Sequence, residues 1–245
     1  MGRTRMSDSI VDTLIEGCHV LADDGQGDLI WGHVSVRDPA RADRLLMKPA
    51  GIGLEELRRD DVIAVGLDGE RTSGTRPRHI EVFIHTEIMR ARPEVKAVVH
   101  THPPHAVAFS SLCKKLLPVG HEGAMFCDGL PVFDRTSDLI VTADLGQVVA
   151  GCLAGHNALL LRNHGIVTAG RSIEEAVMTA VLLEKACKVQ MLAEQAGGPQ
   201  ATTTLEEARI KRERIYNPQS LQTAFAYCVR RHRARHLGCA HPGHG

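Results

Sequence analysis

Residues 97–104 read AVVHTHPP. An apolar run that ends in two prolines reads as a strand stopping at a sheet rim, because proline has no N–H to donate to a ladder. Side chains two apart on a strand share a face, so His100 and His102 project together. Two imidazoles at that spacing form a chelate for a borderline metal such as zinc. An isolated H-x-H is more often a pair of hydrogen-bonded structural histidines, so the reading depends on what else converges on it.

A third ligand is offered by His164 in LLLRNHGIVTAG (159–170), a short break between two apolar segments. Gly165 beside it permits either a positive φ or a close backbone approach. Glu81 and His85 lie four apart on a helix expected over 78–91, stopped by Pro93, and so share one face. Glu81 is there a fourth ligand, a proton-transfer base, or a surface acid stabilised by the helix dipole.

The rest of the chain sets the background. It has 245 residues, 43% hydrophobic, 24% charged and 3% aromatic, with 29 Lys and Arg against 29 Asp and Glu. That is an ordinary globular composition with no net charge, and it excludes any general attraction to nucleic acid or an anionic membrane. The cluster Arg230, Arg231, Arg233 and Arg235 reads as a solvated helix end. The seven cysteines form no CxxC pair and MGRTRMSDSI contains no apolar signal segment, so a reducing, cytoplasmic setting is expected. The uncharged run 145–161 is broken by Gly151, Gly155, His156 and Asn157, short of the ~20 residues a membrane span needs.

Periodicity predicts helices over 8–22 and 145–152 and strands over 30–37, 44–47, 62–67, 95–101, 158–162 and 166–168. Short edge strands are expected at 116–119 and 130–133. The sequence SIEE (172–175) is a capping box opening a long helix to about residue 194. Residues 205–237 read as helical after the linker GGPQATTT (197–204). The last eight residues, with His241 and His244, read as a disordered tail. There is no dinucleotide-binding or Walker sequence.

Taken in order and at their separations, GHVSVRDP (32–39), MKPAGIGLEEL (47–57), IEVFIH (80–85), AVVHTHPPHAVAFS (97–110) and LLLRNHGIV (159–167) resemble the class II aldolase/adducin family. The resemblance runs from about Ile10 to Gly197. It implies an α/β, three-layer αβα fold with a central, mainly antiparallel sheet over 1–200, to which the residues themselves add a helical extension over 201–237 and a tail over 238–245. It also implies a homo-oligomer, in the usual case a tetramer with sites at subunit interfaces. One divalent metal per subunit is implied, zinc first with manganese, iron or cobalt as alternatives, held by His100, His102 and His164. Glu81 is then the acid/base carboxylate.

The departures from the family pattern point to the substrate. Members that act on sugar phosphates hold the phosphate with an Asn, a Thr and a Ser-Ser pair. Here those positions carry His33, Ala50 and His79–Ile80, while Ser35 and Gly51 remain. Losing neutral donors and gaining His33, Lys48 and His79 favours a carboxylated, non-phosphorylated small molecule. His33, Ser35, Lys48, Gly51 and His79 are therefore the expected substrate contacts. Where aldolase members place a tyrosine from a neighbouring subunit, VGHEGAMF (119–126) offers His121 and Glu122 as proton donors, with Tyr216 as a looser candidate. The pattern is most similar to the decarboxylase-like branch, one activity of which acts on 3,4-dihydroxyphthalate. The expectation is a metal-dependent carboxy-lyase. The alternatives are an aldolase or epimerase on a hydroxy-acid or sugar derivative, or an Fe(II) oxygenase on the same scaffold. A non-catalytic scaffold would lack the complete ligand set.

Overall fold

The computed structural model describes residues 2–237. Eight strands form one sheet: β1 (His33–Arg37), β2 (Arg44–Met47), β3 (Ile63–Gly66), β4 (Arg71–Ser73), β5 (Ala97–Thr101), β6 (Val132–Phe133), β7 (Ala158–Leu161) and β8 (Gly165–Gly170). Their order is β4-β3-β2-β1-β5-β8-β7-β6. Every neighbouring pair is antiparallel except the edge pair β6 and β7. This is the mainly antiparallel sheet expected from the resemblance.

Side-chain alternation assigns the two faces. Val34, Val36, Leu46, Ala64, Ala97, Val99, Leu160 and Ile166 share a core with helices α1 (Gly2–Asp23), α3 (Pro104–Ser111), α5 (Ile173–Gln195) and α7 (Pro218–Leu237). Leu45, Met47, Ile63, Val65, Val98, Leu159, Leu161, Val167 and Ala169 share the other with α2 (Val82–Ala91) and α4 (Ala143–Leu153). The result is three layers, with β5 buried on both faces along its whole length. The remaining helix, α6 (Leu205–Ile215), opens with a full capping box between Thr204 and Glu207. Leu221, Phe225 and Val229 of α7 are buried in the first core, so the C-terminal extension packs as part of the domain.

Several local expectations are corrected. The strand expected from residue 30 begins at His33, because Asp28 and Leu29 take positive φ values of 38° and 54° and turn the chain first. Residues 116–119 are not a strand: Pro118 donates no hydrogen bond, and the Val119 N–H closes a local turn onto the Leu117 carbonyl at 2.8 Å. The helix expected from 78 starts at Val82. β4 and α3 are additions. In α3 the prolines that end β5 open a helix, with Pro104 in its first turn. The Glu184 carboxylate from α5 accepts hydrogen bonds from the first-turn N–H groups of His105 and Ala106 at 3.1 and 2.9 Å. The capping box at 172–175 is half formed: Ser172 accepts from the Glu175 N–H, but the Glu175 carboxylate accepts from the Arg171 N–H and from Asn157 instead. The single helix expected over 205–237 is divided into α6 and α7 at Tyr216 and Asn217, just before Pro218. The tail expected over 238–245, with His241 and His244, lies outside the described residues. No helix among the described residues is long and apolar enough to cross a membrane.

Candidate metal centre

His100 has the same parity on β5 as Val98, so its side chain faces the α2 layer, with His33 of β1 directly opposite in register. His102 follows just past the strand end. The β7–β8 turn delivers His164, and it makes that turn with a positive φ of 56° at Asn163. The two alternatives for Gly165 are thereby separated. A Cβ there would lie 2.5 Å from the Thr101 carbonyl oxygen and 2.7 Å from the His102 ring, so the glycine serves close approach. Glu81 is the N-cap residue of α2 and is buried beneath the same three rings.

The four side chains converge. One ligand atom from each of Glu81, His100, His102 and His164 lies within 4.8 Å of all the others. His100 Nδ1 is 2.9 Å from the Ile166 carbonyl and His102 Nδ1 is 2.7 Å from the Asp28 carboxylate. Both acceptors require the proton on Nδ1, which leaves each Nε2 with a lone pair. Those two Nε2 atoms face each other at 3.1 Å. His164 Nε2 is buried with no hydrogen-bond partner. The Glu81 oxygens stand 3.6 Å from the Nε2 atoms of His100 and His164. Lone pairs directed at one another across a buried point repel unless a cation lies between them, so this donor set fits a divalent metal. The Asp28–His102 contact has the form of the carboxylate support that would orient His102 if it bound a metal.

Electrostatics agree with that use. Burial, and then the charges of His100 and His164, push His102 down to about 4 against the partial opposition of Asp28, which keeps it neutral near pH 7. Burial by itself raises the Glu81 carboxyl. The adjacent His100 and His164 rings and the hydrogen bond donated by the Ile140 N–H outweigh it and hold the group well below the usual carboxylate range.

Behind the ligands lies a second set of histidines. His33 Nδ1 is 2.6 Å from His85 Nε2, and Ser35 Oγ is 2.7 Å from His85 Nδ1. The His33 ring lies 4.3 Å from that of His79 and 4.9 Å from that of His100, centroid to centroid. Burial holds His33 and His85 well below the ordinary histidine value and pushes His79 down to about 3. These rings are neutral, so the cationic role expected of His33 and His79 gives way to neutral hydrogen bonding. Lys48 supplies the charge on this side. Its fully buried ammonium, pushed down to about 8 by burial, donates to the Ile30 carbonyl at 2.9 Å and sits 3.5 Å from His79 Nε2.

A cleft of about 680 Å³ opens over the centre. Glu81, His102 and His164 line it, Trp31, Ile80, Val107 and Leu139 give it apolar walls, and Asp28, Ser137 and Asn163 add polar groups. Of the expected substrate contacts only His79 lines this cleft; His33, Ser35 and Lys48 are buried behind it, and Gly51 is exposed on a loop with a φ of 84°. His121 and Glu122 lie at the start of a 3-10 turn (Glu122–Phe126), outside the cleft lining of their own chain. The Tyr216 hydroxyl is pushed up to about 12 by burial and then by the charge of Glu122. Sequence reasoning missed Asp28 and Trp31. The segment DDGQGDLIWG carried the signal of an acid and the only tryptophan, but it reads equally as a helix stop.

The comparisons with known proteins agree with this geometry. Residues 12–191 match the model of the Class II Aldolase and Adducin N-terminal domain. The chain is 38% identical over 175 residues to the decarboxylase NovR of Streptomyces niveus, covering 71% of this chain and 65% of that one. It is 39% identical over 173 residues to a 4-hydroxy-3-prenylphenylpyruvate oxygenase/4-hydroxy-3-prenylbenzoate synthase of Streptomyces roseochromogenus subsp. oscitans, covering 70% and 62%. The match thus spans less than two thirds of either Streptomyces protein. Against the 3,4-dihydroxyphthalate decarboxylase of Arthrobacter keyseri it is 31% identical over 196 residues, 74% of this chain and 77% of that one. Among solved structures, the L-fuculose 1-phosphate aldolase from Glaciozyma antarctica PI12 superposes with a TM-score of 0.84 at 26% identity, over 95% of this chain and 91% of that one. Motifs, sheet order and the three-histidine centre lead to one conclusion: the chain belongs to the class II aldolase/adducin family.

Proposed function

We propose that this protein is a metal-dependent carbon–carbon lyase that removes CO2 from a non-phosphorylated hydroxy-aromatic carboxylic acid of the 3,4-dihydroxyphthalate type. The observation that carries the reading is a cleft floored by lone-pair imidazoles and an ionised Glu81, walled by apolar side chains, and lacking the family's phosphate donors. The named decarboxylases among the relatives support it.

In this reading His100, His102 and His164 hold one divalent metal per subunit, zinc first, with manganese, iron or cobalt as alternatives. Bound there, it supplies Lewis-acid stabilisation of negative charge on a substrate oxygen. Glu81 accepts the phenolic proton of the substrate and returns it to the ring carbon as the bond to the carboxylate breaks. The electron pair of that bond stays on the ring carbon, CO2 leaves, and the product phenolate takes one proton from solvent. Trp31, Ile80, Val107 and Leu139 flank the planar ring and keep water from it. Lys48 makes the His79 wall electropositive, which suits a second carboxylate. His121 and Glu122 assist from a neighbouring subunit of a cytoplasmic homotetramer. Trp31, Ile80 and Leu139, exposed at 53%, 58% and 42%, support a neighbour lying over the rim.

The test is incubation of the zinc-loaded protein with 3,4-dihydroxyphthalate and related catechol acids, following CO2 and the decarboxylated catechol. Equal amounts of both are expected, with Glu81→Gln slower by about 100-fold or more. Aldehyde release from hydroxy acids with no CO2 from any catechol acid would replace the reading with an aldolase. Strict dependence on O2 and Fe(II) would replace it with the oxygenase that the 39% relative's name suggests.

A further inference from the structure

Away from the cleft, the last helix returns to the first, and two pairs of side chains meet where they pack. His19 and Asp23 lie on α1, and His232 and His236 on α7. Members of each pair are four residues apart on a helix and so share a face. The rings of His19 and His232 stack at 4.8 Å between centroids, and those of His232 and His236 lie 4.4 Å apart. One ligand atom from each of Asp23, His232 and His236 falls within 4.8 Å of the other two. The three histidines line a pocket of about 400 Å³ between the helices.

Hydrogen bonding within the chain does not account for this arrangement. His19 Nε2, Asp23 Oδ2 and His232 Nδ1 are all buried without a hydrogen-bond partner. His232 Nδ1 stands 3.3 Å from Asp23 Oδ2 but lacks the alignment of a hydrogen bond. The His19 ring, hydrogen-bonded to the Leu57 backbone, stacks on His232 beside the other three side chains. Buried polar atoms without a hydrogen bond are costly, and Asp23 Oδ2 and His232 Nδ1 side by side call for a shared partner. Arg233 is ion-paired with Glu16, and the exposed Arg235 is ion-paired with Asp23 at 3.6 Å, so a cation held by Asp23 would take the place of a guanidinium that reaches solvent.

We infer that Asp23, His232 and His236 form a second divalent transition-metal site that staples the C-terminal helix to the N-terminal one. Two imidazoles with one carboxylate select a cation of the zinc class over calcium or magnesium. The site is separate from the proposed catalytic centre and does not depend on its chemistry.

The decisive measurement uses full-length protein carrying His100→Ala and His102→Ala, stripped of metal and titrated with zinc. One equivalent per chain is expected in this background, and zinc should raise its Tm. Adding His232→Ala and His236→Ala should abolish both the uptake and the Tm shift. Cys239, His241 and His244 follow α7 in the sequence. A variant with all three replaced by alanine, in the same His100/His102 background, keeps the equivalent if the helices provide the ligands. No uptake in the first background, uptake that survives loss of His232 and His236, or uptake lost with the three downstream residues overturns the inference. Fold retention is checked by circular dichroism, since His236 is exposed and His232 half-buried.

Discussion

Asp28 is a residue whose role no motif announced. Its carboxylate takes the Nδ1 proton of His102 across 74 positions of sequence, and so fixes which nitrogen of that ring faces the metal centre. The prediction at this scale is that Asp28→Asn leaves the fold intact and weakens metal binding by about 10- to 100-fold, as is usual for groups that orient a ligating imidazole. Competition with a zinc chelator measures it. Unchanged affinity would mean that the contact merely pins the turn at Asp28 and Leu29. Gly165 works through the opposite device. It is the absence of a side chain that lets the β7–β8 turn lie against the Thr101 carbonyl and the His102 ring.

Among the elements, α3 shows how a local stop signal is reused. Two prolines end β5, and the same residues start a helix because a first-turn proline loses no intrahelical hydrogen bond. The helix is then held by Glu184, which takes the His105 and Ala106 N–H groups and the His105 ring. Glu184→Ala strips a charged acceptor from these N–H groups, and we expect a loss of about 1–3 kcal/mol in unfolding free energy. Urea denaturation checks this against Ser172→Ala, which removes only the α5 cap and should cost about 1 kcal/mol. No loss from Glu184→Ala would show that α3 does not rely on the carboxylate.

For the whole molecule, the buried histidines make stability depend on pH. In the unfolded chain each titrates near the ordinary value of about 6.5. In the folded chain His79 is pushed down to about 3 and His102 to about 4, and His33 and His85 lie well below that ordinary value. Below the ordinary value the unfolded state therefore binds more protons than the folded state, so stability rises with pH. It is fully present above about pH 6.5–7 and is lost on acidification toward the folded values. Glu81, held low, adds to the loss in the same direction but further into acid. Urea midpoints of the metal-free protein should fall steadily from about pH 7 to about pH 4. A flat profile over that range would mean the histidine cluster is hydrated and open, contrary to its burial.

The sequence by itself determined the local features and pointed to the residues proposed as ligands. AVVHTHPP specified a strand with two imidazoles on one face, NHG a turn presenting a third, and the order of the motifs placed the chain in its family. These are legible because i,i+2 and i,i+4 spacings are set by backbone geometry alone. Tertiary structure alone decided which polar residues reach the cleft. His33, Ser35 and Lys48 occupy motif positions, yet the sheet register turns them behind the metal centre, while Asp28 and Trp31 arrive on a turn that reads only as a helix stop. The meeting of His19 and Asp23 with His232 and His236 was equally hidden, because it depends on α7 packing across the first core onto α1. Burial and partnership are properties of the packed chain, and they, more than residue type, settle which groups stay neutral and which carry charge.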